Sequence, residues 1–495
     1  MHYPTLEQVK KLASQGNLIP VYREVIADLE TPVSAYLKLT RTDQSKYSFL
    51  LESIEGGERI ARYSFLGSSP DKVIIAGKAA GVPTSTNPMV VMTDGADPLK
   101  MIQKELERNI PVKIDGLPRF LEGAVGYLGY ENIRHFENIP SPADDPQALP
   151  EAFFMLTDTL LVFDHLQHKI KVVSHVHTGA NIEKEYEKAT ARIDELVHRL
   201  TEPLQTLPAK TGGKPAGLEK AHANVSKERF MEMVKKVKQY IHEGEVIQTV
   251  VSQRLTRKTT AAPFDIYRNL RTINPSPYMF YLDLGDIHII GASPEMLVRV
   301  EDGYVHTHPI AGTRIRGATP EKDLELEHEL KNDPKEKAEH IMLVDLGRND
   351  VGRVSEPGSV TVSELMHVER YSHVMHLVSK VSGKLRKGLT AYDAFRACFP
   401  AGTLSGAPKI RAMQAIAELE PDKRGTYGGA VGYFTSGGNM DTAIAIRTIA
   451  MKNGVAYIQA GAGIVFDSVP ELEYQESLNK AAAMLKAIDA AEGVA

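Results

Sequence analysis

The stretch Val455–Glu476, VAYIQAGAGIVFDSVPELEYQE, joins a strand-like segment, a glycine-rich segment and an acidic segment. Glycine lets a backbone approach an anionic ligand closely and present its N–H groups, which makes Gln459–Ile464 a candidate anion site. Pro470 is well placed to open a helix. The i, i+3 spacing of Glu473 and Glu476 then puts both carboxylates on one helix face. Taken alone, this spacing favours a solvated helix start over a metal site, because acids are favoured in a first turn.

Further segments of both kinds lie upstream: two are glycine-rich, Gly402–Lys409 and Tyr427–Tyr433, and one is acidic, Ala338–Asp345. Glu339 begins a mostly apolar run, where a charge that faces inward needs a partner. A Mg²⁺ ion bridged by two helices would supply that partner, since hard cations prefer carboxylate oxygens. Together these segments predict a small polyanion that is bound through a metal and backbone amides.

Composition excludes several classes of protein. The chain has 495 residues, of which 42% are hydrophobic and 24% charged, as is ordinary for a globular protein of two or more domains. A net charge of -5 gives no sign of nucleic-acid binding. The apolar runs are too short to span a membrane, and the N-terminus lacks a signal pattern. We therefore expect a cytoplasmic protein with neither nucleic acid nor membrane as a partner.

The single cysteine, Cys398, rules out an internal disulfide and fits a reducing compartment. It lies among apolar residues, so a small buried hydrophobic side chain is favoured over a nucleophile. Any glutamine-hydrolysing thiol would then have to come from another chain.

Residues 202–224 are rich in proline, glycine and lysine and show little apolar periodicity, which predicts a linker. It would separate an N-terminal domain, residues 1–201, from a C-terminal domain, residues 225–495. Both parts mix strand-like and helix-like periodicity, so an α+β fold is expected.

Single strands are predicted at Leu156–Phe163 and Met440–Met451, and Thr31–Leu39 is assigned to a strand as well. The predicted helices are Ile182–Leu200, Lys227–His242, Lys322–Asn332, Pro334–Leu346, Ala391–Ala397, Pro408–Glu418 and Pro470–Ala491.

The pentapeptide Gly-Ala-Val-Gly-Tyr occurs at Gly123–Tyr127 and again at Gly429–Tyr433. Chance accounts for five residues so rich in glycine. Alternatively, the two copies are strands of one type in two related layers.

Six motifs, in order and spacing, extend over essentially all of residues 225–485: Gly291–Glu295, Pro309–Arg314, Ala338–Asp350, Pro400–Lys409, Ala443–Thr448 and Gln459–Glu476. This set resembles the chorismate-utilising enzyme family, and within it the large synthase subunit (component I) of anthranilate synthases. The resemblance implies an antiparallel β-sandwich with helices outside, in which two domains interleave. It also implies that residues 225–495 form the chorismate-binding catalytic domain.

The resemblance implies a lyase that converts chorismate and ammonia to anthranilate and pyruvate through 2-amino-2-deoxyisochorismate, the first step of tryptophan biosynthesis. Glu339 and Glu476 would hold Mg²⁺, with Glu473 close by as a further or water-mediated ligand. The residues that match the family's chorismate contacts or would compensate substrate charge are Gly312, Thr313, Tyr427, Arg447, Gly461, Ala462, Gly463 and Lys480.

Four positions bear on the chemistry. Glu295 is assigned as the general acid for the leaving hydroxyl, and His376 matches the family's candidate base. A histidine in so apolar a run is otherwise more often a hydrogen-bonded core residue. Where water-using relatives carry a lysine, this chain has Gln248, which cannot act as a base, so ammonia is the expected nucleophile. Ala311 replaces the lysine common in aminodeoxychorismate synthases, which points to ortho amination.

Ser53, Pro277, Tyr278 and Met279 resemble the family's tryptophan feedback site, so inhibition by tryptophan is expected. The prolines alone would also justify a simple turn before a strand. Nothing in the chain resembles a glutamine amidotransferase domain, so a separate glutaminase subunit (component II) is expected to deliver ammonia.

Three alternatives stay open. The chain could stop at 2-amino-2-deoxyisochorismate, or it could be an aminodeoxychorismate synthase. In a different class, it could be a regulatory subunit that binds chorismate or tryptophan without catalysis.

Overall fold

Strands from both halves of the chain build two large sheets that pack face to face. The computed structural model describes residues 1–40, 47–53, 62–77, 88–93, 95–179, 181–204, 217–371 and 374–493. Within these ranges the sheets have 12 and 11 strands, and every pairing is antiparallel except one.

The first sheet runs in the order β1 (Leu18–Ile26), β9 (Lys169–His177), β8 (Leu160–Asp164), β3 (Tyr63–Ser68), β2 (Ser48–Glu52), β12 (Tyr278–Asp283), β13 (Ile287–Ser293), β22 (Thr448–Lys452), β23 (Val455–Ile464), β11 (Gln248–Lys258) and β10 (His222–Ala223), with β19 (Gly406–Ala407) also paired to β11. The second sheet runs in the order β16 (Ile310–Ile315), β18 (Val374–Lys384), β15 (Tyr304–Thr307), β14 (Met296–Glu301), β21 (Met440–Ile444), β20 (Ala430–Phe434), β6 (Gly123–Leu128), β7 (Ala152–Thr157), β4 (Lys72–Ala76) and β5 (Met89–Thr93), with β17 (Thr361–Arg370) paired to β18.

The α-helices of the described residues are α1 (Leu6–Leu12), α2 (Pro32–Thr40), α3 (Pro98–Leu106), α4 (Ile182–Thr201), α5 (Lys227–His242), α6 (Pro263–Ile273), α7 (Pro320–Asn332), α8 (Pro334–Gly352), α9 (Ala391–Cys398), α10 (Gly402–Ser405), α11 (Lys409–Leu419) and α12 (Pro470–Ala491). Short 3₁₀ helices occupy Tyr130–His135 and Gly217–Lys220.

Three apolar clusters show the layer order. One lies between the sheets, where Phe49 and Phe280 of the first sheet meet Val125 and Phe153 of the second. A second cluster covers the outer face of the first sheet with residues of α4, α6 and α12, and a third covers the second sheet with residues of α3, α8 and α9. Cys398 is buried in the third cluster, and burial raises the pKa of its thiol. The predicted α+β sandwich with outer helices is confirmed.

The two halves of the chain interlock within each sheet. In the first sheet β2 pairs with β12, and in the second β6 pairs with β20. The repeated pentapeptide falls on this second pair, with Gly126 directly opposite Gly432. The two copies are therefore neighbours in one sheet rather than members of two layers.

The boundary between the predicted domains lies partly outside the described residues, which omit 205–216. The described end of the predicted linker forms the second 3₁₀ helix and β10, whose His222 pairs with Thr256 of β11. The division into residues 1–201 and 225–495 stays a prediction.

Two of the predicted single strands are in fact two strands each, because the chain crosses from one sheet to the other. The segment Leu156–Phe163 ends β7 in the second sheet and begins β8 in the first. The segment Met440–Met451 forms β21 in the second sheet and β22 in the first, with a crossing at Ala445–Arg447. A third crossing, at Pro294–Glu295, joins β13 to β14.

The assignment of Thr31–Leu39 to a strand is wrong, because this segment contains α2. Pro32 occupies the first turn, and the Ser34 backbone N–H donates to Thr31 Oγ1 at 3.1 Å, as at a helix start. Its buried residues Pro32, Ala35, Tyr36 and Leu39 follow an i, i+3, i+4, i+7 pattern. The segment thus has the helical period and not the alternation of a strand.

Candidate active site

A cavity of 580 Å³ lies where the first sheet, the second sheet and three helices meet. Its walls come from β11 and β23 of the first sheet, β16 of the second, and α8, α10 and α12. All but two of the residues assigned to chemistry, substrate or metal line it: Gln248, Glu295, Gly312, Thr313, Glu339, Tyr427, Arg447, Gly461, Gly463, Glu473, Glu476 and Lys480.

The glycine-rich segment forms one wall as the end of β23. Among the described strands, β22 pairs with β23 only up to Ile458, so the last residues of β23 have one edge free. Lys480 Nζ donates to the Gly461 carbonyl at 3.0 Å, which shows that this carbonyl points to the free edge. The N–H of a strand residue points to the same edge as its carbonyl, so the Gly461 N–H also faces away from β11.

Glycine is required here for space. A Cβ atom on Gly463 would lie 2.4 Å from Gln248 Nε2, and one on Gly461 would lie 2.4 Å from the Val251 carbonyl oxygen. Ala462, between them, is one of the two predicted residues that do not line the cavity. Its side chain is fully buried on the other side of the sheet, in a further apolar cluster formed with residues of α5.

The three carboxylates assigned to the metal all line the cavity, Glu339 from α8 and Glu473 and Glu476 from α12. A fourth, Glu336 of α8, also lines it and is paired with Arg314 at 3.0 Å. Burial raises the pKa of Glu339, and the nearby charges of Glu336 and Glu476 raise it further. Burial likewise raises the pKa of Glu473, with Glu476 contributing. The carboxylates therefore repel one another in a partly desolvated space.

A divalent cation fits this donor set, because carboxylate oxygens are the ligands that Mg²⁺ prefers and a cation would relieve the repulsion. Part of the charge is already balanced, since Lys480 Nζ lies 2.6 Å from Glu476 Oε1. As they stand, the described residues include no group of three or more histidine, cysteine, aspartate or glutamate side chains placed to hold a metal.

Arg447 contributes positive charge to one wall of the cavity. It sits in the crossing between β21 and β22 with φ of +50°, a left-handed conformation that non-glycine residues rarely adopt. Its guanidinium donates to the Lys480 carbonyl at 3.1 Å and has no carboxylate within 4 Å among the described residues. Burial lowers its pKa. A buried guanidinium without a counter-ion is a site for an anion, and its planar fork matches a carboxylate.

Glu295 sits in the neighbouring crossing and is buried. Its Oε1 accepts a hydrogen bond from Thr403 Oγ1 at 3.0 Å. Burial raises the pKa of Glu295 to about 8, although the Thr403 bond opposes the rise. At neutral pH this side chain therefore carries a proton and can act as an acid.

His376 is the second predicted residue that does not line the cavity. It lies on β18, behind β16, where its Nδ1 is 2.9 Å from Thr313 Oγ1 and 3.2 Å from the Gly312 carbonyl. A β-bulge at Gly312, with φ of +69°, turns this carbonyl toward the imidazole. Burial lowers the pKa of His376, which keeps the ring neutral at neutral pH.

Sequence reasoning missed several residues of this cavity, among them Thr403 and Gln459. Both stand at an end of a glycine-rich segment that the sequence singles out. The sequence feature that could have identified them is a polar residue at the end of a glycine-rich segment.

A second cavity, of 520 Å³, lies between the sheets. Ser53, Pro277, Tyr278 and Met279 all line it, which brings the four residues predicted for regulation together. Because β2 pairs with β12, Ser53 from the N-terminal half comes beside the other three.

Charged and aromatic side chains line this second cavity. Arg299 forms an ion pair with Asp441 at 2.7 Å, and the Tyr278 hydroxyl donates to Asp441 at 3.1 Å. Phe120 stacks on Tyr433 with ring centroids 4.0 Å apart. A flat apolar ligand that also carries charges suits such a lining.

Comparison with known proteins settles the family. The family model for chorismate binding enzyme matches residues 49–486. The chain belongs to the chorismate binding enzymes.

Similarity to individual chorismate binding enzymes extends over the full length. The chain is 52% identical over 497 aligned residues to anthranilate synthase component 1 from Acetivibrio thermocellus, covering 99% of each chain. It is 48% identical to anthranilate synthase component 1 from Pseudomonas aeruginosa, covering 98% of this chain and 99% of the other.

Solved structures of chorismate binding enzymes show the same fold. The crystal structure of anthranilate synthase component I from Streptococcus pneumoniae matches with a TM-score of 0.73 and 39% identity, over 93% of this chain and 99% of the other. The menaquinone-specific isochorismate synthase MenF from Escherichia coli matches in fold, with a TM-score of 0.67 and 19% identity over 98% of both chains. Within the described ranges, no helix has the length and apolar character that a membrane crossing requires.

The Glu295 carboxyl of this chorismate binding enzyme should lose its proton near pH 8, far above the ordinary value of 4.5. Difference infrared spectra of wild type against Glu295→Gln, recorded across a pH series, will isolate the protonated carboxyl band. Thr403→Val should move the midpoint to higher pH, because the lost hydrogen bond favours the carboxylate. Glu471→Gln, on the exposed start of α12, is the control for spectral subtraction. A midpoint near 4.5 would contradict the assignment.

Proposed function

We propose that this chain is the synthase subunit of an anthranilate synthase, a Mg²⁺-dependent lyase that converts chorismate and ammonia to anthranilate and pyruvate through 2-amino-2-deoxyisochorismate. The observation that carries the proposal is one cavity that combines Arg447, which has no carboxylate within 4 Å among the described residues, the carboxylates of Glu339, Glu473 and Glu476, and the buried Glu295. The full-length similarity to proteins named anthranilate synthase component 1 supports it.

Chorismate carries two carboxylates, and the cavity offers matching donors. The Arg447 fork binds one carboxylate in a bidentate manner, and the free edge at Gly461 and Gly463 presents backbone N–H donors. Tyr427 closes the wall beside Arg447. The left-handed backbone of Arg447 fixes where its guanidinium projects, since the crossing leaves it little freedom.

Glu339 and Glu476 would hold Mg²⁺, with Glu473 close by. The ion, when bound, supplies positive charge that neutralises a substrate carboxylate among these acids. Lys480 already pairs with Glu476 and helps to compensate the same charge.

Glu295 gives its proton to the 4-hydroxyl of chorismate, which leaves as water when ammonia adds to the ring. Burial raises its pKa into the range where the acid is protonated at neutral pH and still able to donate. The Thr403 hydroxyl holds the carboxyl in place.

His376 takes up the ring proton that is lost when pyruvate leaves and the ring becomes aromatic. It is neutral at neutral pH, as a base must be. The Thr313 hydroxyl lines the cavity and contacts the imidazole, so it forms the connection between the ring proton and His376.

Ammonia is the nucleophile, since the neutral amide of Gln248 cannot deprotonate water. We propose that a separate glutaminase subunit (component II) delivers this ammonia, as the component 1 names of the relatives imply. The cytoplasmic location stays a prediction from the sequence.

We also propose that tryptophan binds in the second cavity and inhibits turnover. The cavity is lined by both halves of the chain, which lets a ligand bias their packing. A small void lined by Tyr278 and Arg299 of this cavity and by Pro294 and Ile310 of the substrate cavity lies between the two. Tyr371, also on this void, packs edge-on to the His376 ring at 5.6 Å.

One observation favours a second candidate function. Because His376 lies behind Thr313, the final elimination depends on fine geometry, and an enzyme with the same cavity could release 2-amino-2-deoxyisochorismate. Ala311 argues against the aminodeoxychorismate alternative. The presence of Glu295, the three acids assigned to the metal and His376 argues against a subunit that binds without catalysis.

Purified chain with chorismate, Mg²⁺ and ammonium at alkaline pH should produce the fluorescence of anthranilate without any glutaminase. Only the final product is aromatic, so emission separates the two candidates. Loss of chorismate without emission would favour 2-amino-2-deoxyisochorismate, and no loss of chorismate would contradict enzymatic function.

Glu476→Gln should raise the Mg²⁺ concentration for half-maximal activity by at least about 10-fold, because a neutral amide is a poorer ligand for a hard cation. Glu471→Gln, an exposed acid in the first turn of the same helix, should change this concentration by less than about twofold. An equal response of both variants would contradict the metal assignment.

Ser53→Phe should weaken tryptophan binding and shift the inhibition curve by at least about 10-fold, because the larger ring occupies the second cavity. Calorimetric titration and turnover assays measure the two effects. Ser14→Phe, at an exposed position, is the control. Binding of tryptophan to wild type without loss of turnover would refute the regulatory site.

A further inference from the structure

One face of the strand pair β11–β23 forms part of the substrate cavity. Across the pair, Val250 is opposite Gly463 and Ser252 is opposite Gly461. Directly opposed residues share a sheet face, and so do residues two apart along a strand. Gln248 therefore lies at one end of this face and Gln459 at the other, with the two glycines leaving the space between them uncovered.

In both glutamines the side-chain oxygen accepts no hydrogen bond from the described residues. Gln248 is 3% exposed and Gln459 is 8% exposed, and both line the cavity. The Oε1 atom of each has no hydrogen-bond partner among the described residues. A buried carbonyl oxygen left unpaired is costly, so two in one cavity call for a ligand that donates hydrogen bonds.

A buried chain of hydrogen bonds fixes the direction of the Gln459 amide. Arg424 is bound to Glu420 through two guanidinium nitrogens, at 2.8 and 2.7 Å. Glu420 Oε1 accepts a hydrogen bond from the Ser252 hydroxyl at 2.8 Å. Ser252 Oγ has no second proton to give, so it must accept from Gln459 Nε2, at 2.8 Å. Gln459 Oε1 therefore takes no part in this series of hydrogen bonds and can accept a hydrogen bond from a ligand.

The spacing suits a very small ligand. The Gln248 amide lies over Gly463, while the Gln459 amide reaches Ser252, opposite Gly461. Residues two apart on a strand are separated by about 6.8 Å. Two N–H···O bonds of about 2.9 Å that meet at one nitrogen place their acceptors at most about 5.8 Å apart, so one nitrogen reaches both Oε1 atoms when these turn toward each other across the gap.

We propose that this face is the ammonia subsite of the enzyme, in which Gln459 Oε1 and Gln248 Oε1 accept hydrogen bonds from the nucleophile. The inference rests on the proposed function and adds Gln459 as an ammonia-binding residue. Amide oxygens suit neutral ammonia, because a carboxylate would favour ammonium, whose lone pair is already used. The bound nitrogen keeps its lone pair free for the ring.

Steady-state kinetics of Gln459→Met test the assignment, with ammonium varied at saturating chorismate and chorismate varied at saturating ammonium. Loss of one acceptor should raise the KM for ammonia roughly 5- to 10-fold. The KM for chorismate should change by less than about twofold. Gln248→Met provides an independent second variant with the same expected selectivity.

Gln253→Met is the matched control. Gln253 lies on β11, is 1% exposed and also has an unpaired Oε1, but its side chain is on the opposite sheet face, where Nε2 donates to Ser477. Its KM for ammonia should equal that of wild type.

A rise in the KM for chorismate equal to that for ammonia would assign the two oxygens to a substrate hydroxyl and overturn the inference, as would no change in either KM. If wild type shows no ammonia-dependent turnover, the proposed function fails first, and that result is distinct from a loss of selectivity in the variants.

Discussion

Two backbone hydrogen bonds hold together the crossings on which the active site depends. The Ile444 N–H donates to the Glu295 carbonyl at 3.0 Å, and the Ala292 N–H donates to the Arg447 carbonyl at 3.1 Å. They join the crossing at Pro294–Glu295 to the one at Ala445–Arg447, where the chain passes between the sheets. At these points the strands stop pairing on both sides, so a space opens in the sandwich. The Glu295 carboxyl and the Arg447 guanidinium line that space from adjacent backbone.

The charges of the cavity are arranged around this frame. Arg447 has no carboxylate partner in the described part of the chain, while the acids of α8 and α12 repel one another on the opposite wall. A dicarboxylate with a divalent cation would complement both walls at once, because each supplies what the other lacks. Next to β11, by contrast, Arg424 and Glu420 form a buried ion pair with each other. The Arg424 guanidinium also donates to the Val250 carbonyl, which holds β11 in place. The buried Arg424–Glu420 pair is thus structural, whereas in the cavity Glu476 pairs with Lys480 and Arg447 stays available to an anion.

Much of the fold was predictable because its helices carry their own signals. The predicted limits of Pro470–Ala491 agree with α12, since a proline and acidic residues begin the helix. The crossings were not predictable from the segments Leu156–Phe163 and Met440–Met451, because an apolar strand pattern continues through the change of sheet. The cavity residues could be assigned from their motifs. The recessed position of His376 could not, since it results from the pairing of β18 behind β16, which neither strand's own sequence reveals.

The most direct test of the account is a product analysis with ¹⁵N-ammonium. Purified chain is incubated with chorismate, Mg²⁺ and the labelled salt, and the products are identified by mass spectrometry. ¹⁵N-anthranilate and pyruvate are expected in equal amounts, with no dependence on glutamine. Isochorismate, or an aromatic product that lacks the labelled nitrogen, would contradict the proposed reaction.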